Sequence, residues 1–307
     1  MTAAIEIRNL HKIYPNGFHA VKGLNLRVEA GDFYSLLGPN GAGKSTTIGM
    51  LTSLVRKSSG SIKIFGIDID EDFLAAKRCI GLVPQEFNFN VFETPLNIVR
   101  NQAGFYNLPY RQATERAHFY LDKLGLYNKK NEQTRALSGG MKRRLMIARA
   151  MAHEPKLLIL DEPTAGVDLE IRHGMWQFLQ EMNAAGTTII LTTHYLEEAE
   201  HLCRHMGIIN HGEIVYQNNM KDLLKELDEE VFVADIAAPP AHVPQLSEAA
   251  LRIIDDSCVE IIVPRGISGG LNKIFAELSA QGITVLSLRN KTNRLEELFL
   301  RQVRESV

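Results

Sequence analysis

A nearly continuous apolar run, Phe33–Leu37, leads straight into Gly38-Pro39-Asn40-Gly41-Ala42-Gly43-Lys44-Ser45-Thr46, and a helical pattern opens at Gly43. No other feature of the sequence restricts the fold as much. A short, continuous apolar run reads as a strand covered on both faces. Glycines let the following loop wrap closely, so that its amide N–H groups and the positive end of the helix dipole face an anion. GxxxxGK[ST] in this strand–loop–helix setting is a phosphate cradle, in which Lys44 reaches the outer phosphates and the Ser45 hydroxyl ligates Mg2+.

The first 217 residues or so surround this loop with alternating strand and helix patterns. Strands are expected at Ile5–Arg8, Leu24–Val28, Phe33–Leu37, Ser61–Ile64, Ile80–Val83, Leu157–Leu160, Thr188–Thr192, Met206–Asn210 and Glu213–Tyr216. Helical patterns follow from Gly43, Asp168 and Tyr195, an alternation that reads as α/β layering. Between Gln85 and Pro155 the β signal gives way to three helical stretches, Pro95–Tyr106, Tyr110–Leu124 and Ser138–His153. They read as a helical subdomain, about residues 86–154, inserted between two strands. A charged stretch at Lys221–Glu230 leads into a second, α+β unit over residues 221–307. Strand Val231–Ile236, a hairpin of Leu251–Ile254 with Cys258–Val263, a helix near Gly270–Gln281, strand Ile283–Leu288 and a terminal helix near Asn293–Arg304 are expected there.

Two further segments carry chemistry. Asp161-Glu162 ends the apolar run Lys156–Leu160, 117 residues after Lys44, at a strand end where open α/β sheets bind ligands. Asp161 can hold Mg2+ through water, and Glu162 can act as general base on an attacking water. Leu137-Ser138-Gly139-Gly140-Met141 opens a basic helix and forms a second anion-binding N-terminus. One nucleotide seldom needs two cradles. Two copies packed head to tail would set each serine-glycine tip over the other copy's lysine loop.

Composition narrows the partners. Lys plus Arg number 34 and Asp plus Glu 36, a net charge of −2, which argues against a dedicated nucleic-acid binder. No apolar run of about 18 residues occurs, so the chain is not expected to span a bilayer. The N-terminus carries no secretory pattern, and three scattered cysteines (Cys79, Cys203, Cys258) fit a reducing cytoplasm. His201 and His205 stand four apart on an expected helix, but no third metal ligand accompanies them, and they read as ordinary surface histidines.

With these residues in order, the chain resembles the ATP-binding subunit of an ATP-binding-cassette (ABC) transporter over about residues 1–217, domain 1–220 in all. Gly38–Ser45 resembles Walker A, Leu157–Glu162 Walker B, Leu137–Met141 the signature and Ala165–Asp168 the D-loop. Gln85 matches the Q-loop and His194 the switch histidine. Met141 stands where the family most often has Gln. The resemblance implies a RecA-like P-loop core, an antiparallel β subdomain and the helical subdomain. It also implies ATP and Mg2+ as ligands, the latter held by Ser45, Gln85 and Asp161, and a homodimer closing on two ATP. Tyr14 would stack on adenine, Gln85 sense the metal and the water, His194 bond the γ-phosphate and Asp168 bridge the two copies. Lys44, Gln85, Glu162 and His194 would form the catalytic set. A separate permease would receive the work at the inner face of the membrane, with the phenylalanines of Glu86–Phe92 as the docking groove or, alternatively, core of the helical subdomain. Arg294–Leu300 resembles the ending of exporter-type cassettes. The competing reading is a soluble ABC ATPase acting on a nucleoprotein. Relatives of that kind carry two cassettes, long coiled coils or zinc modules, for which this chain has no room.

Overall fold

A computed structural model describes residues 2–223, 229–240, 242–264, 266–291, 295, 296, 298 and 299. The chain divides into two compact units between Asn218 and Asn219.

The first unit opens with strands β1 (Ala3–Ile13) and β2 (His19–Glu29), an antiparallel pair. They are followed by β3 (Phe33–Leu37), α1 (Lys44–Leu51), β4 (Ser59–Ile64), β5 (Ile67–Asp68), α2 (Phe73–Arg78) and β6 (Ile80–Val83). Helices α3 (Pro95–Phe105), α4 (Tyr110–Lys123) and α5 (Gly139–Met151) come next. The unit ends with β7 (Leu157–Asp161), α6 (Leu169–Ala184), β8 (Thr188–Thr192), α7 (Leu196–Leu202), β9 (His205–Asn210) and β10 (Glu213–Asn219).

Two sheets result, an antiparallel one in the order β2-β1-β4-β5 and a six-stranded one in the order β10-β9-β3-β8-β7-β6. In the second, β9, β3, β8, β7 and β6 run parallel. Every residue of β3, β7 and β8 is buried, which is why these strands read as nearly continuous apolar runs. Parallel strands end on one edge, so the loops after β3, β8, β7 and β6 emerge side by side in that order. Strands β9 and β10 are joined by His211-Gly212, whose φ angles of 46° and 87° fit a tight hairpin turn.

The three-helix insertion is built locally. Thr94 accepts a hydrogen bond from the Asn97 N–H and Pro95 fills the first turn of α3. Ser138 caps α5 through the Met141 N–H at 3.2 Å. Of the three phenylalanines in the loop before α3, Phe87 and Phe92 are not core, being 45% and 63% exposed, and Phe89 is half-buried.

The second unit holds the short helix α8 (Met220–Leu223), β11 (Glu229–Ile236), β12 (Ala250–Ile253), β13 (Cys258–Pro264), α9 (Gly270–Ala280) and β14 (Val285–Asn290). Its sheet is antiparallel, in the order β12-β13-β11-β14. Alternate residues Phe232, Ala234 and Ile236 of β11 and Val259, Ile261 and Val263 of β13 pack against Ile274 and Leu278 of α9. Glu229 and Glu230 belong to the strand, not to the preceding charged stretch. Most of the expected terminal helix, 293–304, lies outside the described residues; Leu295 and Leu298 within it are buried.

Candidate active site at the sheet edge

The cradle after β3 is a backbone construction. A Cβ on Gly38 would stand 2.3 Å from the Ile209 carbonyl oxygen, and one on Gly43 2.8 Å from that of Ala20. Gly43 also has φ 109°, so side chains are barred there twice over. The loop is tied by the Ala42 N–H to the Pro39 carbonyl (3.2 Å) and by the Gly212 N–H, from the β9–β10 turn, to the Ala42 carbonyl (2.9 Å). Lys44 is buried, and its Nζ donates to the carbonyls of Gly38 (2.6 Å) and Pro39 (3.1 Å). Burial pulls its pKa down, against the raising effect of Glu162 and Asp161. Asn40, Gly41 and Ser45 are exposed. Thr46 Oγ1 is 3.4 Å from the hydroxyl of Tyr14, a half-buried residue whose ring lies 4.8 Å from Lys12 Nζ.

The loops after β7, β8 and β6 are built from side chains. Asp161 is buried and accepts a hydrogen bond from Thr192 Oγ1 at 2.5 Å. Glu162 has φ 48°, a left-handed conformation that costs a non-glycine residue about 1–3 kcal/mol. Its N–H is held by the Thr192 carbonyl at 3.0 Å. The constraint aims the carboxylate between two partners: Gln85 Nε2 donates to Oε2 at 3.1 Å, and His194 Nδ1 lies 3.3 Å from Oε1. Behind Gln85, the buried Arg143 of α5 donates to the Pro84 carbonyl at 3.0 Å. Burial lowers the Arg143 pKa, while Asp161 and Glu162 act the other way.

Ser138, Gly139 and Gly140 form the tip of α5. A Cβ on Gly140 would meet Ile171 of α6 at 2.8 Å, whereas the space around Gly139 is open. Asp168 occupies the N-cap position of α6 without a side-chain capping bond. Beneath this segment Glu198 of α7 is fully buried and accepts from Trp176 Nε1 at 3.0 Å. Burial pushes the Glu198 carboxyl up, against the hydroxyls of Thr193 and Thr164, the indole N–H and the Arg172 charge.

Lys44, Glu162, Gln85 and His194 thus stand on neighbouring loops of one sheet edge. Thr192, Arg143 and Glu198 carry little signal in the sequence. A threonine closing an apolar strand signals little, and buried Arg and Glu look like surface residues until folded. The histidine pair does not share a helix: α7 ends at Leu202, His201 stacks on Trp176, and His205 begins β9 with Nδ1 2.8 Å from Asp32.

The ABC transporter family profile matches residues 21–165. The linearmycin resistance ATP-binding protein LnrL of Bacillus subtilis is 34% identical over 302 residues, covering 96% of this chain and 97% of that protein. The chain belongs to the ABC transporter ATP-binding family. This ABC cassette protein is also 34% identical over 307 residues to the daunorubicin/doxorubicin resistance ATP-binding protein DrrA of Streptomyces peucetius, covering 97% and 92% of the two chains. With the Nod factor export ATP-binding protein I of Cupriavidus metallidurans, the ABC cassette shares 40% identity over 225 residues, 73% of this chain and 74% of that one. Among solved structures it resembles a dimeric ATP-binding cassette in a post-hydrolysis state with ADP and Pi. The TM-score is 0.66 at 28% identity, over 70% of this chain and 98% of that one. As a RecA-like P-loop ABC ATPase, the cassette binds ATP and hydrolyses it to ADP and phosphate.

Proposed function

We propose that two copies of this chain close on two molecules of MgATP and drive a separate membrane permease in an export system. In this reading the protein is cytoplasmic, peripheral at the inner face of the cell membrane, and binds no nucleic acid. Residues 1–220 form the ATPase domain, with a helical subdomain at about 86–154, and residues 221–307 an accessory domain. The direction of transport is supported by relatives named for Nod factor export and for resistance to linearmycin and to daunorubicin/doxorubicin. Among the described residues no helix is long and apolar enough to cross a membrane, in keeping with a separate permease. A cleft of about 300 Å³ beside Pro84 and Asn88, lined by Leu54, Phe73, Tyr106 and Arg149, supports docking of a permease helix next to Gln85.

The geometry supports the following roles. Gly38, Pro39, Asn40, Gly41, Ala42 and Gly43 wrap the phosphates with backbone amides, Lys44 turns from its own loop carbonyls to the outer phosphates, and Thr46 and Tyr14 flank the nucleotide, the ring stacking on adenine. The Ser45 hydroxyl, the Asp161 carboxylate and the Gln85 amide oxygen are all hard oxygen donors, a set that fits Mg2+. Among the described residues no group of three or more His, Cys, Asp or Glu side chains gathers to hold a metal, so this set suits an ion that shares its coordination with phosphate. Bound there, Mg2+ would neutralise developing charge on the phosphates. Glu162 takes a proton from the attacking water, Gln85 orients that water, and His194 donates to the γ-phosphate. Ser138, Gly139 and Gly140 present α5 amides to the partner copy's nucleotide, and Asp168 bridges the copies.

The observation that carries this reading is the Glu162 carboxylate, aimed by a left-handed backbone and held by Gln85 at 3.1 Å and His194 at 3.3 Å. Glu162→Gln is expected to bind ATP and accumulate as a dimer with MgATP in light scattering, while turnover falls by about 10²-fold or more. A variant that hydrolyses ATP at the normal rate, or stays monomeric with MgATP, would overturn the assignment.

A further inference from the structure

His194 is half exposed at the end of β8, and an imidazole in that position needs something to fix its ring. Beyond Glu162, its support is Tyr195: the two rings lie 4.1 Å apart, tilted by 37°. Tyr195 is in turn anchored on both sides. Its N–H is held by Thr193 Oγ1 at 3.0 Å, and the Arg172 guanidinium carbon lies 4.7 Å from its ring centroid, within cation–π range. Arg172 sits in the first turn of α6 and points back along it, so that Nη2 donates to the Val167 carbonyl at 3.4 Å. Its Nε is buried without a hydrogen-bond partner, so the guanidinium is kept there by the ring, that carbonyl and nearby charge. The charge comes from the buried Glu198, itself fixed by Trp176 of α6. An unbroken chain of contacts thus runs from His194 through Tyr195 and Arg172 to Val167, next to Asp168.

We propose that Tyr195 and Arg172 are positioning residues that lock the His194 ring to the Val167-Asp168 segment, so that the histidine adopts its working rotamer only when that segment is seated. The inference rests on the reading above, in which His194 faces the γ-phosphate and Asp168 meets the second copy. The linkage makes the set of the histidine depend on the dimer contact, through an aromatic ring and a cation. Misplacing a reacting group by about 1 Å can cost up to 10²-fold in rate with little change in binding.

The test is steady-state ATPase kinetics on the full chain. Tyr195→Ala is expected to lower kcat by about 10-fold or more with KM for ATP and the melting temperature unchanged, and Tyr195→Phe to restore most of the rate, because the ring and not the hydroxyl makes the contacts. Arg172→Met, which keeps the stem packed, is expected to lower kcat several-fold, and the double variant with Tyr195→Ala to be no slower than Tyr195→Ala alone, as for residues acting as one unit. Should Tyr195→Ala lose its fold, Arg172→Met paired with Tyr195→Leu supplies the same cycle. Wild-type kcat in both single variants, a Tyr195→Phe protein as slow as Tyr195→Ala, or multiplicative losses in the double variant would each overturn the linkage. His194→Ala separates the two levels: if it turns over normally, the role given to the histidine fails; if it is inactive while the Tyr195 and Arg172 variants are normal, only the linkage fails.

Discussion

The cradle after β3 and the carboxylate cluster after β7 lie on the same sheet edge but are made in opposite ways. In the cradle it is backbone that lines the loop, and side chains are excluded at Gly38 and Gly43 by carbonyls 2.3 and 2.8 Å from where a Cβ would sit. In the cluster the backbone only aims: Glu162 is strained to φ 48° so that Gln85 and His194 can reach it, and Thr192 holds both Asp161 and the Glu162 N–H. A backbone site tolerates no added atom, whereas a side-chain site should fail by degrees. Glu162→Gln tests the cluster at its centre, and three further substitutions test the contrast itself.

The largest expected effect is Gly38→Ala. The clash with the Ile209 carbonyl sets two backbones against each other, so relief requires moving β9 or the loop. Overpacking of this kind costs about 1–3 kcal/mol, and nucleotide affinity is expected to vanish with the loop's shape. Denaturant titration and binding of a fluorescent ATP analogue read both; normal affinity would break the contrast. Thr192→Val should do less: it removes the hydroxyl that donates to Asp161 while keeping the strand and the carbonyl that holds Glu162. A hydrogen bond to a charged group is worth about 1.5–3 kcal/mol, so stability should fall within that range and ATPase activity should drop without loss of ATP binding. The smallest effect belongs to the second unit. Cys258, whose Sγ donates to Asp235 Oδ1 at 3.0 Å on a half-buried sheet face, should tolerate Ser with melting temperature and turnover unchanged. A large fall in turnover there would tie the second unit to the chemistry.

The same contrast explains what could be read in the sequence. Glycine spacing is a one-dimensional record of a backbone site, so the Gly38–Ser45 loop was legible in full, as were the buried strands Phe33–Leu37, Ile80–Val83 and Thr188–Thr192. The pattern suggests only Ile5–Arg8 for β1, yet pairing with β2 and β4 carries the strand from Ala3 to Ile13, with Asn9 at φ 46° within it. Strand β5, two residues long, and α2, six, are too short for any period to show. Asp161 and Glu162 were legible because they end an apolar strand. The contacts that place them were not, since Thr192 meets Asp161 across 31 residues of chain and Gln85 meets Glu162 across 77. Phe87 and Phe92 show the limit from the other side: an aromatic cluster reads equally well as core or as surface, and only folding puts it in solvent.

Gly140 packs against Ile171 with no space for even a methyl group between them. The tip of α5 and the opening turn of α6 therefore behave as a wedge and its block. A swing of the helical insertion that presses the tip of α5 inward would push on the start of α6, and with it Asp168. A push on the three helices from outside would reach both Ser138 and Asp168 in a single stroke.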